Sequence, residues 1–373
     1  MDRNVEMKAS KSSCSINCDD SNIFPKVAIV ILNYNGRRCL GKLLDESIKS
    51  ALNQTYPNIE VVFADNGSDD ESVEYITKTY GNRVNVVILG KNYGFCLGNN
   101  LAVKHVSSNT KYLLFLNPDA VLSNDYVEKL VSLMEYNESV GIAQGMEVLQ
   151  DGSRRCIGGL VSVYGQSHLV EFEASHAKPT KPKTVRVLWA VGSAMIIRKK
   201  LFDKVGGFSP EFFMYYDELD LCCRILSYGF QTVGLPGAIY THKLGGIAHA
   251  NVQASSDKIN HNLLYYFNRN RWLIVIRYFP RKLLLLSFVA FLAEFMNNIY
   301  KSLACKEKSL KRYRCSLYPK IFLYLIRHIR RELYIRNSYN LQKLIVDYVI
   351  PTPLIIRLKK EDIARFMTQS GFW

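Results

Sequence analysis

Four polar clusters interrupt apolar runs in the first third of the chain. They are Asn33-Tyr34-Asn35-Gly36, Asp65-Asn66-Gly67-Ser68-Asp69, Asn92-Tyr93-Gly94-Phe95 and Asn117-Pro118-Asp119. Asn, Gly, Asp and Pro dominate turns for local backbone reasons, so any one cluster is an ordinary turn. Four in succession, each after an apolar run, point instead to a polar ligand gathered along one edge. Further on, Asp217-Glu218-Leu219-Asp220 places three acids in four positions, and His242 closes another apolar run. Carboxylates in such a group can take up protons, hold a cation or complement a helix N-terminus.

The runs between these clusters set the frame. Val27 to Tyr34, Ile59 to Asp65, Val84 to Leu89 and Tyr112 to Leu116 read as buried strands. Leu40 to Leu52, Glu71 to Tyr80 and Asn99 to Val106 read as helices between them. Strand and helix in alternation predict βαβ units in a mostly parallel sheet, where ligands bind beyond the carboxyl ends of the strands. A strand over Val140–Leu149, another over Trp189–Arg198 and a helix over Asp217–Tyr228 follow. No GxGxxG follows the first strand and no GxxxxGK[ST] is present, so a glycine cradle for phosphates is excluded. The pattern left is a nucleotide held by side chains, with Asp119 where a cation bridging two phosphates could sit, as in a nucleotide-sugar site.

In order along residues 26 to 245 stand ILNYNG (Ile31–Gly36), SALNQTYPNIEVVFADNGSDD (Ser50–Asp70), NYGFCLGNN (Asn92–Asn100), FLNPDA (Phe115–Ala120), W-x-x-G-x-x-M-x-x-R (Trp189–Arg198), GGFSPEFFMYYDELDLCCR (Gly206–Arg224) and YTHKLGG (Tyr240–Gly246). The ordered set resembles the family 2 glycosyltransferases, inverting enzymes of the GT-A fold, and especially their rhamnosyltransferase-like branch. It covers about 60% of the chain. The resemblance implies a UDP- or dTDP-sugar donor, a glycan or lipid-linked saccharide acceptor, and Mg²⁺ or Mn²⁺ as cofactor. Asp65 would accept the N3–H of uracil or thymine, bases that present a donor there. Asn33, Asn35 and Asn92 would lie by the nucleoside. Asp119 would be the metal-binding acid of a DxD motif whose first position is Asn117, one negative charge fewer, and His242 would reach the same cation. Trp189 and Gly192 would adjoin the acceptor and donor. Glu218 would be the general base beside Asp217, and Asp220 and Arg224, at i and i+4, look like a helix-stabilising pair.

The 373 residues include 48 Lys and Arg against 33 Asp and Glu, and 48% are hydrophobic, which excludes a disordered or fibrous protein. Residues 1–250 carry 26 basic and 26 acidic side chains, whereas 251–373 carry 22 and 7, the whole excess of +15. Three parts are therefore expected: a polar, disordered extension over 1–25, a catalytic domain over 26–255, and a basic, apolar helical region over 256–373. Residues 1–25 show no apolar secretory signal, which suggests a cytoplasmic enzyme. In the tail the longest uncharged run, Leu283–Ala293, has 11 residues, short of the roughly 18 to 20 needed to span a bilayer. Helices lying on the anionic cytoplasmic face of the cell membrane fit better. Two alternatives are weighed against this reading. A nucleic-acid-binding protein would use the basic tail, notably Tyr265 to Trp272, but no nucleic-acid motif accompanies it. A nucleotidyltransferase would show a Gly-rich basic signature after the first strand, where Asn35-Gly36-Arg37-Arg38-Cys39-Leu40 stands.

Overall fold

The computed structural model describes residues 24–149, 155–171, 184–242, 261–303, 308–339, 341–342 and 345–350. All but the last two residues of the expected N-terminal extension lie outside them, as do the final four residues of the YTHKLGG motif. The first half runs β1 (Val27–Asn33), α1 (Gly36–Leu40), α2 (Lys42–Leu52), β2 (Ile59–Asp65), α3 (Ser72–Tyr80), β3 (Asn85–Ile88), α4 (Gly94–Ala102), β4 (Tyr112–Leu116), β5 (Ala120–Leu122), α5 (Tyr126–Tyr136) and β6 (Val140–Leu149). The second continues through β7 (Arg155–Ser162), β8 (Ser167–Glu171), β9 (Val185–Val187), β10 (Ala194–Arg198), α6 (Lys199–Lys204), α7 (Asp217–Ser227) and β11 (Gln231–His242). Three long helices, α8 (His261–Tyr278), α9 (Arg281–Leu303) and α10 (Lys308–Tyr339), precede the short β12 (Val349–Ile350).

One mixed sheet organises these elements in the order β12-β7-β6-β10-β4-β1-β2-β3, with β11 beside β6 and β5. Strands β1 to β4 pair in parallel; the apolar runs of β1 and β4 suit strands buried on both faces, and β3 is the more exposed edge. Successive β1 side chains enter opposite cores: Ala28 and Val30 pack on one face, Val27, Ile29 and Ile31 on the other. Strand β10 is antiparallel to β4, pairing Ala194 with Leu116, so its entrance lies at the carboxyl end of β4. Register likewise sets Asn33 beside Asp65. Strand β11 ends with His242 beside Ala120 of β5 and Leu149 of β6. The polar clusters therefore share one sheet edge.

The C-terminal helices contribute to the core on the α7 side of the sheet: Trp272, Leu273, Ile274, Val275, Tyr278 and Phe279 of α8 join it. β12 pairs in parallel with Val161 and Ser162 of β7. A buried ionic network reinforces the contact. Asp220 of α7 accepts from Arg224 at 2.9 Å, from Arg277 of α8 at 2.7 Å, and from the hydroxyls of Tyr278 and Ser209, each at 2.7 Å. Arg277 also donates to Glu332 of α10 at 2.6 Å and to Glu211 at 2.5 Å. The Asp220–Arg224 pair expected from sequence is thus one edge of a larger cluster. Burial alone would raise the Asp220 carboxyl, but the two guanidinium groups outweigh it and hold the group down to about 2.

Removing Arg277 would leave Asp220 and Glu332 buried beside an empty space. Arg277→Ala is expected to cost roughly 3 to 5 kcal/mol of stability, the usual result of breaking a buried ion pair from one side. Urea denaturation of the full-length variant checks this, and a loss below about 1 kcal/mol would place the network among weak surface pairs.

Candidate functional site

The ends of β1 and β2 form a closed polar knot. Asn33 donates its side-chain amide to Asp65 at 3.1 Å and to the Ser68 hydroxyl at 3.2 Å. Asp65 also accepts the Ser68 backbone N–H at 2.9 Å and the Ser68 hydroxyl at 2.5 Å. Asn35, held in a left-handed conformation at φ 56°, accepts the Asp69 N–H at 2.9 Å, and its own N–H donates to the Ser68 oxygen at 2.8 Å. Ser68, which sequence reasoning passed over as a turn residue, ties three of the expected donor-binding residues together. A carboxylate has about four acceptor positions, and these contacts use three of them on Asp65. Asn92 stands apart on an exposed turn, where its side-chain oxygen accepts the Gly94 N–H at 2.8 Å and the Asn66 amide at 3.2 Å.

A second cluster lies where β5, β6 and β11 meet. His242 is buried between two carboxylates, with Nδ1 2.6 Å from Glu147 and Nε2 3.2 Å from Asp119. Burial disfavours a charged ring, but Asp119 and Glu147 together lift His242 to about 9. Glu147 was missed by sequence reasoning, although an acid inside the apolar run Val140–Leu149 was the available signal. Its own second oxygen accepts from Cys156 at 2.9 Å. Asn117 sits at the turn between β4 and β5, where its N–H donates to Ser193 at 2.9 Å and so brings Gly192 alongside.

The third cluster is the start of α7. Gly192 donates its N–H to Glu218 at 3.2 Å, and a Cβ on Gly192 would stand 2.5 Å from that carboxylate. The glycine is therefore required by the approach of Glu218. Trp189 is half-buried across Gly159 and donates Nε1–H to the Leu160 carbonyl at 3.2 Å, a packing contact. Burial raises both acids, and Asp217 goes well above the usual range, driven first by desolvation and then by the charge of Glu218. Asp217 Oδ2 is buried without a hydrogen-bond partner among the described residues, so the surroundings favour the protonated form of Asp217 more than that of Glu218. Glu218 is partly exposed whereas Asp217 is buried, so the unprotonated member of the pair is the one that solvent or a ligand reaches.

The backbone leading into α7 is unusual. Phe213, Tyr215 and Tyr216 all have positive φ, at 64°, 66° and 63°. Each such non-glycine residue costs on the order of 1 kcal/mol or more and persists only where its surroundings impose it. Gly94 permits the fold of this segment: at φ +75° it begins α4, and a Cβ there would come within 2.5 Å of the Phe213 ring. The Phe213 carbonyl then accepts the N–H groups of Phe95 and Cys96 at 2.8 and 3.3 Å.

Residues 28–215, half of the chain, match the family described as glycosyl transferase family 2. The chain is 29% identical over 224 residues to the rhamnosyltransferase WbbL of Escherichia coli K12, covering 56% of this chain and 80% of that protein. It is 24% identical over 222 residues to an N-acetylglucosaminyl-diphospho-decaprenol L-rhamnosyltransferase of Mycobacterium tuberculosis, covering 54% and 72%. Among curated relatives the matched stretch spans from 26% to 80% of their own length. A crystal structure of GalNAc-T7 with UDP, GalNAc and Mn²⁺ superposes with a TM-score of 0.54 at 14% identity, covering 82% of this chain and 57% of that one. The shared fold is GT-A, with the mixed sheet and flanking helices described above.

Proposed function

Because the chain belongs to glycosyl transferase family 2, we propose that it is an inverting glycosyltransferase that moves a sugar from a UDP- or dTDP-sugar to a hydroxyl of a glycan or lipid-linked saccharide. The observation that carries this reading is Glu218 at the start of α7: half-buried and reachable, it accepts the Gly192 N–H at 3.2 Å beside the buried Asp217, whose carboxyl burial raises further. A single basic carboxylate is what one in-line displacement needs. Glu218 takes the proton of the acceptor hydroxyl as its oxygen attacks the anomeric carbon from the face opposite the leaving nucleoside diphosphate. No covalent intermediate forms, so no second nucleophile is required.

Donor recognition is assigned to the β1–β2 knot. The remaining acceptor position of Asp65 suits the N3–H of uracil or thymine, while Asn33 and Asn35 set its orientation. Asn92 and Asn117 would meet the nucleoside from the neighbouring turns, with Trp189 toward the acceptor. The residues also fit a divalent cation, Mg²⁺ or Mn²⁺. Glu147 holds Nδ1 of His242 and so turns Nε2 toward the Asp119 carboxylate, where a bound cation would take the place of the Nε2 proton. Asp119 and His242 would supply two protein ligands, and the diphosphate the rest. When bound, such an ion neutralises charge on the leaving group.

The C-terminal helices support attachment to an anionic lipid surface at the cytoplasmic face of the membrane. Helix α9 docks by one face only: Ser287 donates to the Val163 carbonyl, Phe291 packs against Trp272 and Tyr318, and Glu294 pairs with Arg271. Its other face leaves Leu285 70%, Val289 56% and Met296 62% exposed, together with Phe288 and Leu292. Phe322, Leu323 and Ile326 of α10 are also exposed, near Lys320, Arg327 and Arg330. Arg281–Tyr300 is apolar and long enough to cross a bilayer by composition. The docked face, which pairs the half-buried Glu294 with the buried Arg271, favours a helix lying in the interface. A decaprenol-linked acceptor, named for the mycobacterial relative, would be presented at such a surface.

Glu218→Gln should lower turnover by a factor of about 10² to 10⁴ while leaving nucleotide affinity nearly intact, and Asp217→Asn, a neutral isostere of a carboxyl whose burial favours its protonated form, should cost less. Since Glu218 works unprotonated and burial raises it, kcat/KM of the wild type is expected to be present at neutral pH. It should be lost on acidification at a pH above the ordinary glutamate value of about 4.3. Nucleoside diphosphate release from a panel of UDP-, dTDP- and GDP-sugars measures all three, and full activity of Glu218→Gln would refute the assignment.

Flotation with anionic liposomes tests the surface. The full-length protein should float at low salt and be partly released by high salt, and Leu285→Glu with Val289→Glu should stay in the soluble fraction. A wild type that does not float would exclude membrane attachment.

A further inference from the structure

The aromatic and basic run Tyr265–Trp272, whose composition would suit nucleic acid, turns inward instead, with Arg269, Asn270, Arg271 and Trp272 all buried. Asn270 directs its amide nitrogen at three carbonyls of the segment before α7: Phe212 at 2.9 Å, Met214 at 2.8 Å and Tyr215 at 2.8 Å. With two hydrogens for three acceptors, one N–H is shared. Arg269 fixes the amide orientation by donating Nε and Nη2 to the Asn270 oxygen at 2.9 and 2.7 Å. A guanidinium accepts nothing, so the amide nitrogen must face the loop. Arg269 also donates to the Glu211 and Phe212 carbonyls. The carbonyls so held flank the three residues of positive φ, and Tyr216, the last of them, caps α7 directly before Asp217 and Glu218. Phe213 stacks on Tyr266 at 4.9 Å, and Tyr216 meets Phe267 edge-on at 5.3 Å.

We propose that Asn270, oriented by Arg269, is a positioning residue for the Glu218 base: by satisfying three carbonyls at once it imposes the left-handed backbone that aims the first turn of α7 at Gly192. The inference rests on Glu218 being the base. Among the described residues, no hydrogen bond of Asn270 involves the β1–β2 knot or the Asp119–His242 cluster, so its loss should act on turnover and spare donor binding.

Two full-length variants test this. Asn270→Asp sets a carboxylate oxygen against the carbonyls, and Asn270→Ser retains one donor. Because a displacement of about 1 Å in a reacting group can cost 10²-fold, kcat is expected to fall roughly 10²-fold in the first and less in the second. KM for the donor and the calorimetric Kd for UDP or dTDP should stay within about threefold, the pattern of an interaction that matters only in the transition state. Glycine adopts positive φ without steric cost, so Tyr215→Gly should shrink the defect of Asn270→Ser relative to Tyr215→Gly alone, a rescue that a merely structural contact would not give. Unchanged kcat in a folded Asn270→Asp, or in Asn270→Ser where the former does not fold, overturns the proposal, as does an equal loss of UDP or dTDP affinity. Glu218→Gln measured in parallel separates the two readings. If it is fully active beside a defective Asn270 variant, the base assignment falls and this proposal with it. If it is inactive beside a fully active Asn270 variant, only this proposal falls.

Discussion

Asp220 is a carboxylate taken entirely out of water and kept charged by Arg224 on its own helix and Arg277 on α8. The cost of burying that charge is offset only while both guanidinium groups stay in place, and Arg277 in turn binds Glu211 and Glu332. This one pairing connects the helix that begins with the candidate base to helices α8 and α10. The acids at positions 217, 218 and 220 therefore do different work despite their adjacency. Asp220 is held down by cations and anchors the helix. Asp217 is raised well above the usual range by burial and by the charge of Glu218. Glu218 lies nearest solvent and remains the acceptor.

The same division of labour recurs at the sheet edge. Polar side chains there first satisfy one another, as in the Asn33–Asp65–Ser68 knot and the Glu147–His242–Asp119 chain, and retain only limited capacity for a ligand. That limits the freedom of each group and fixes its direction before substrate arrives, which is how electrostatic preorganisation is built. The clusters come together because β1, β2 and β4 are parallel and in register. β10 and β11 then deliver Gly192 and His242 to the same edge from later in the chain.

Much of this was legible in the residues. The strands over 59–65, 112–116 and 140–149 fall where apolar patterning put them, since buried strands declare themselves by predominantly apolar runs. Boundaries set by distant partners were not legible. Helix α4 starts at Gly94 rather than Asn99 because the Phe213 carbonyl, far along the chain, accepts its first N–H groups. Strand β10 starts at Ala194 rather than Trp189 because Trp189 bridges to Gly159 and the backbone between them carries Gly192 to Glu218. Among site residues, Asn33, Asp65 and Asp119 stood out as polar ends of apolar strands. Glu147, Ser68 and Asn270 did not, since each acts by holding another group, and that is visible only once the chain is folded.

The central claim is one base and one displacement at this edge. The anomeric configuration of the product, read by proton NMR on a linkage formed from a nucleotide sugar of known configuration, tests it most directly. A product of opposite anomeric configuration to the donor is expected. Retention of configuration would require a second nucleophile or a front-face mechanism and would contradict the roles given to Asp217 and Glu218.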